Sequence, residues 1–213
     1  MPSKARVLFR DKLLPDVTSM LETHRQVNPR GHGRRALGHL TRGGVALLCA
    51  SWELYIEEVL IESARFLVKD AASPDFLPNK IKGKITQAAK NDKHEHGALK
   101  LCGLGWREVY TDAARASVEK LNTPKYGNIK DLFSDWLDID DIAINWRHPT
   151  SSLNEFVRIR GEIAHRGADS RYIQVKQLGE FKNMIDDLVV DTDRTLSDHL
   201  MGICHSKNRP WRR

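Results

Sequence analysis

Long apolar runs are missing from this chain. The longest, Val45 to Ala50, falls far short of the roughly 20 residues that a membrane-crossing helix needs, so no membrane association is expected. The first residues, MPSKARVLFRDK, carry charges where a signal peptide needs an apolar stretch, and a cytoplasmic location follows as the expectation. Cysteine is scarce too. Cys49, Cys102 and Cys204 are odd in number and form no C-x-x-C pair, which argues against a disulfide framework or a structural zinc site and reads as small buried hydrophobes in a reducing compartment. Alternation of apolar and polar residues is also lacking, and with it the signature of half-buried strands.

What the chain does have is helical periodicity from end to end, so the fold class is all-α. Its 213 residues suit a single domain, placed at 1–205, with 206–213 as a mobile basic tail. A first helix from Ser3 to about Gln26 carries Val7, Leu14, Val17 and Leu21 on one face, with Pro15 bending it. Asn28 to Gly33 is a turn-rich break. A second helix, about Arg35 to Asp70, holds the most apolar stretch and is the candidate core helix, although Gly43 and Gly44 should kink it or delay its start. After a break at Ala72 to Asp75, Pro78 opens a shorter helix bearing Ile81, Ile85 and Ala89. The stretch Asn91 to Gly105 reads as loop, and Trp106 to about Leu121 as a helix carrying Val109, Ala113, Ala116 and Val118. Asp131 to Asp141 reads as a short amphipathic helix with a solvated acidic face. Ser152-x-x-Glu155 reads as a capping box that starts a helix with Leu153, Phe156, Ile159 and Ile163 buried, stopped by Gly167. A last long helix should run from about Tyr172 to His205.

Charge adds a direction. The 34 Lys and Arg against 28 Asp and Glu give +6 at pH 7, which suits a polyanionic partner without naming one. Within Arg160-Gly-Glu-Ile-Ala-His165 a permanent cation and a titratable imidazole stand five positions apart near the end of one helix. They diverge by about 140° around its axis, so they do not form an i, i+4 metal pair. A shared phosphate would suit them: arginine grips phosphate oxygens bidentately, and histidine moves protons near neutrality. Arg158, Arg166 and Arg171 flank the pair, and Arg147-His148 lies just upstream, so an RNA backbone could bind there. Glu53, a carboxylate in the apolar core helix, is positioned either to brace Arg160 or to make a purely structural ion pair. Glu162 and Gly161 lie inside the motif. His94 and His96 read as solvent-exposed, the basic loop Arg30 to Arg35 as a contact for RNA, and the tryptophans as core except Trp211 in the tail.

The motif Arg160-x-x-x-x-His165, the helix Leu47 to Val59 with its aromatic and acidic pattern, and the closing Glu162-Ile-Ala-His-Arg-Gly167 together resemble the helical HEPN domains, whose ribonucleases carry an R-x(4-6)-H motif on a late helix. The similarity is to the RiboL-PSP and MAE_28990-like branches. It implies an all-α, HEPN-like bundle with long core and C-terminal helices, acting as a homodimer whose Arg160 and His165 gather at the interface. It also implies RNA cleavage without metal or other cofactor, as in toxins or antiviral defence systems, with an antitoxin or defence partner protein restraining the chain. Family nucleases commonly carry a polar residue after the motif arginine, where this chain has Gly161, and the C-terminal R-x4-H-x-Y variant is absent. Those departures keep a non-catalytic RNA-binding or protein-interaction module with the same fold as the alternative.

Overall fold

The computed structural model describes residues 1–29, 37–69, 71, 73–204 and 209–211. Every regular element among them is helical. The N-terminal helix has three parts: α1 (Lys4–Leu8), a single π-turn (Phe9–Leu13) and α2 (Leu14–Val27). Pro15 causes the interruption. It has no N–H to donate and its ring crowds the carbonyl four residues back, so the preceding turn widens and Leu14 N–H reaches the carbonyl of Phe9 instead. The expected bend is therefore a widened turn, and it brings Phe9 into the core, where it is fully buried.

The centre of the molecule is α3 (Gly38–Lys69). Residues on all sides of it are buried, from Val45, Leu48 and Trp52 to Tyr55, Ile56, Leu60 and Ala64, because α1, α2, α5, α6, α7 and α8 all pack against it. That pattern is what a helix apolar all round requires. The Trp52 indole N–H donates to the Pro124 carbonyl and the Tyr55 hydroxyl to that of Val189, so these two buried rings also satisfy their polar atoms. Gly43 and Gly44 neither kink nor delay the helix. A Cβ on Gly44 would stand 2.5 Å from Leu178 Cδ2, so this glycine allows close approach of the last helix, which offsets its low helix propensity of about 1 kcal/mol.

Further along, α4 (Asn79–Asn91) follows Pro78, and α5 (Gly105–Val118) buries Trp106, Tyr110, Ala114 and Val118. Of the residues expected to be buried on α5, Val109, Ala113 and Ala116 turn instead toward an open groove shared with α4. The aromatic four-residue spacing wins because it removes more apolar surface from water. Next comes α6 (Tyr126–Leu137), which begins earlier than the acidic stretch and ends at Asp138 in a left-handed conformation, φ 55. Asp141 lies beyond it, capping the turn Ile142–Asn145 and accepting from the Tyr126 hydroxyl.

The penultimate helix α7 (Thr150–Arg166) starts two residues ahead of Ser152, with Pro149 at its cap and no capping side chain. The capping box does not form, because Glu155 is engaged elsewhere by arginines. Leu153, Phe156, Ile159 and Ile163 are buried as expected. Gly167 adopts φ +53 and ends the helix, its N–H donating to the Ile163 carbonyl. The chain then returns through α8 (Val175–Ile203), antiparallel to α7 and running in the same direction as α3, with Leu178 beside Gly44, Val189 bonded to Tyr55 and Cys204 near Leu67. Arg209 to Trp211, expected in a mobile tail, are packed in place. Trp211 is buried, its indole N–H donates to the Asp193 carbonyl, and Ser197 Oγ donates to its own carbonyl. An amphipathic indole near a polar helix face recovers both burial and a hydrogen bond. The basic loop Arg30 to Arg35, and His205, the last residue expected for the final helix, lie outside the described residues.

Candidate functional site

The buried stripe of α7 fixes which way its polar side chains face. With Ile159 and Ile163 against the core, Arg160 stands at the edge of that stripe, half-buried and turned toward α3. There it enters the field of Glu53 and Cys49. Burial raises the Glu53 carboxyl above its usual range, and the positive charge of Arg160 works against that rise. Burial pushes the Cys49 thiol up to about 12, again opposed by Arg160, so this cysteine is an inert thiol. Glu57, one turn along, is also raised, by burial and then by the neighbouring carboxylates Glu53, Glu58 and Glu119. Glu53 and Arg160 thus share one electrostatic neighbourhood, although among the described residues no carboxylate comes within ion-pair distance of the guanidinium.

The other cations are held differently. Arg158 makes a bidentate grip on Glu155, at 2.7 and 2.9 Å, and lies 3.5 Å from Glu162. Arg171, beyond the helix end, donates from its backbone N–H to Glu162 and from Nη2 to Glu155. These two arginines hold the Glu155 carboxyl down to about 2. Arg147 spreads its guanidinium over Asp191 and Asp187 of α8, and its N–H also donates to Asp191. It stands at the start of α7, about 25 Å along the axis from His165. His148 beside it bonds Asp187 at 2.9 Å.

His165 is exposed in the last turn of α7, and so is Arg166. The structure therefore gathers Arg160 with Glu53, and separately places His165 on the face that carries Arg158 and Glu162. Gly161 lies between them, and a Cβ there would meet nothing within 4 Å. No packing demands this glycine.

Among the described residues no group of three or more His, Cys, Asp or Glu side chains is drawn together as a metal site would require. His94 and His96 are exposed, with ring centroids 6.0 Å apart. Asp135 on the acidic helix pairs with Lys80 and Lys84. Cys49 is buried as expected, but Cys102 is exposed and Cys204 half-buried, since Cys102 falls in a loop with no helical face to pack it. No described helix is long and apolar enough to cross a membrane. Sequence reasoning passed over Tyr172, which is 51% exposed next to Arg171. Expected as the first residue of the last helix, it lies instead in the connecting segment, since that helix begins only at Val175.

The model of the RiboL-PSP-HEPN family matches residues 14–198, which takes in α2 through almost all of α8 and the whole Arg160 to His165 motif. This chain is a HEPN domain of the RiboL-PSP branch. Neither a curated protein nor a solved structure matches it. The all-α class agrees with that HEPN membership.

Proposed function

We propose that this HEPN chain is a metal-independent endoribonuclease with Arg160 and His165 as its catalytic pair, acting as a homodimer in a toxin or antiviral defence setting. The observation that carries the reading is the state of Arg160. It is a half-buried guanidinium that no carboxylate among the described residues holds within ion-pair distance, five residues before an exposed imidazole. Five donors without a carboxylate partner are a ready receptor for phosphate oxygens.

In the reaction His165 takes the proton of a ribose 2′-hydroxyl, the 2′-oxygen bonds to the adjacent phosphorus, and the bond from phosphorus to the 5′-oxygen breaks. The proton is delivered to that leaving oxygen. The products are a 2′,3′-cyclic phosphate and a 5′-hydroxyl, and Arg160 stabilises the charge that builds on the phosphorus oxygens in between. One α7 helix aims the two groups about 140° apart. A two-fold pairing of protomers removes the difficulty by letting the arginine of one chain and the histidine of the other share a phosphate. A cognate antitoxin or defence partner then restrains the dimer in the cell. Glu53 serves as a positioning residue for Arg160.

The test is RNA cleavage in EDTA with end-group analysis. Wild type should leave cyclic phosphate ends, and Arg160→Ala and His165→Ala should each lower the rate by at least about 100-fold. Cleavage that depends on added magnesium would sink this chemistry. Gly161 favours a second reading, a non-catalytic RNA-binding or protein-interaction module. Glycine there supplies no side chain that could orient the imidazole or the substrate, and the space beside it is open. RNA that is retained and never cut, by wild type and by Gly161→Asn alike, would decide for that reading.

A further inference from the structure

The outer face of α7 carries cations that are already satisfied. Arg158 and His165 are seven residues apart, so they lie within about 20° of each other and about 10 Å apart along the axis, with Glu162 between them. The chain after the helix folds back to this same face. Gly167 turns it, Ser170 N–H and Oγ both donate to the Gly167 carbonyl, and Arg171 then reaches Glu155 and Glu162. Ile173 is fully buried and anchors the segment, which leaves Tyr172 exposed. The result is a strip of Arg158, Arg171 and His165, with the exposed Tyr172 next in sequence to Arg171, in which two carboxylates cancel two guanidinium charges. Arg171 Nε is buried with no hydrogen-bond partner, so the network leaves one donor unanswered.

We propose that this strip is the track for a single-stranded RNA, kept neutral by Glu155 and Glu162 until phosphates displace them from Arg158 and Arg171. The inference rests on the RNA reading of the site and adds how that site is shielded. Phosphate competes well for such arginines because it accepts the same bidentate grip that Glu155 accepts now. The exchange costs little at these half-exposed positions, where solvent screens the ion pairs. Tyr172 offers an exposed ring next to Arg171, and a base stacked on an aromatic ring while its phosphate meets a cation is how single strands are held without regard to sequence. A protein partner would need an apolar centre, and the strip has only this one ring.

The experiment is equilibrium binding of a short single-stranded RNA over a series of salt concentrations, in EDTA, with thermal melting recorded for each protein. Glu155→Gln should bind about fivefold more tightly than wild type. Its log affinity should fall more steeply with log salt, by about 0.7 for one more phosphate contact. Arg158→Gln should bind more weakly than wild type, and the double variant Glu155→Gln/Arg158→Gln should return close to it. Tyr172→Ala should lose about tenfold with an unchanged salt slope. If Glu155→Gln melts early, Glu162→Gln serves as the second unshielding variant with the same expected gain. Unchanged or weaker binding in both carboxylate variants overturns the proposal, as does an effect confined to dimer dissociation, which would make the strip a protein interface. The cleavage reading stands or falls separately, since a strip that binds as described without cutting leaves this inference intact and removes only the nuclease.

Discussion

The two faces of α7 treat the same kind of residue in opposite ways. On the face toward the core, Arg160 is half-buried, lies in the field of Glu53, and has no carboxylate at ion-pair distance among the described residues. On the outer face, Arg158 is more exposed and yet is gripped bidentately by Glu155. A helix that only needed stability would do the reverse, because a charge taken out of water needs a partner more than one left in it. The difference teaches that the arginine left unpaired is the one whose burial limits what can reach it, which is the arrangement of a receptor rather than of a strut.

The strongest way to break that comparison is to show that the outer face also holds the fold together. Phe156 is fully buried and packs on Phe181 with ring centroids 5.1 Å apart. Phe156→Ala should cost about 3–5 kcal/mol through lost burial and an unfilled cavity. Arg158→Ala should cost no more than about 1 kcal/mol, since its pair is solvent-screened. Urea denaturation of both variants measures the contrast. Comparable losses would mean that the ionic strip is structural.

Next in size is Gly161. The site has room for a side chain and a helical backbone, so Gly161→Ala should stabilise the protein by about 0.5–1 kcal/mol. That gain corresponds to a rise of about 1–4 °C in Tm. Gly44→Ala gives no comparable gain, because its Cβ would press on Leu178. A neutral or destabilising Gly161→Ala would reveal a neighbour for this position, such as a second protomer, and would move Gly161 from the open face to an interface.

How much of this could be read from sequence differs by region for a physical reason. The core half was legible. Leu153, Phe156, Ile159 and Ile163 declare a helix face by spacing alone, and so does the all-apolar stretch of α3. The exceptions were local. Ser152 and Glu155 carry the composition of a capping box, but Glu155 has two arginines as partners, one of them from beyond the helix. Val109, Ala113 and Ala116 keep helical spacing yet lie on a groove, because the bulkier Trp106 and Tyr110 take the core side. Trp211 looked like part of a charged tail until a backbone carbonyl on α8 was brought to its indole N–H. Of the site, the residue types and their spacing were readable in Arg160 and His165, and so was the nearness of Glu53. The pairing of each arginine was not, since Glu155 with Arg171 and Asp191 with Arg147 are contacts that only the tertiary fold creates.

A smaller effect sharpens the comparison through two glutamates that burial and pairing move in opposite directions. Glu53 sits above its usual range because desolvation outweighs Arg160. Its ionised form is therefore a burden on the folded state, one that lightens as pH falls through its raised pKa. Glu53→Gln should accordingly raise Tm slightly at neutral pH, by about 2 °C or less. At the same time it should slow RNA cleavage by loosening Arg160. A lowered Tm would mean that attraction to Arg160 outweighs desolvation.

Glu155 has the opposite sign and the smallest expected effect. Its carboxyl is held down to about 2 by Arg158 and then Arg171, from an ordinary 4.5. The ionised form favours the folded state, so its contribution is complete above the ordinary value and fades as pH falls from about 4.5 toward 2. Solvent screening keeps it at about 0.5 kcal/mol or below. The difference in unfolding free energy between wild type and Glu155→Gln should be present at pH 6 and should shrink by pH 3. Glu53→Gln, measured against wild type over the same range, should change in the other direction, because protonation relieves the wild-type burden that the substitution removes. Two carboxylates facing opposite sides of one arginine-bearing helix would then report, by the sign of their pH dependence alone, which side is built to hold its charges and which to keep one in waiting. Parallel trends in the two differences would erase the distinction between the faces of α7.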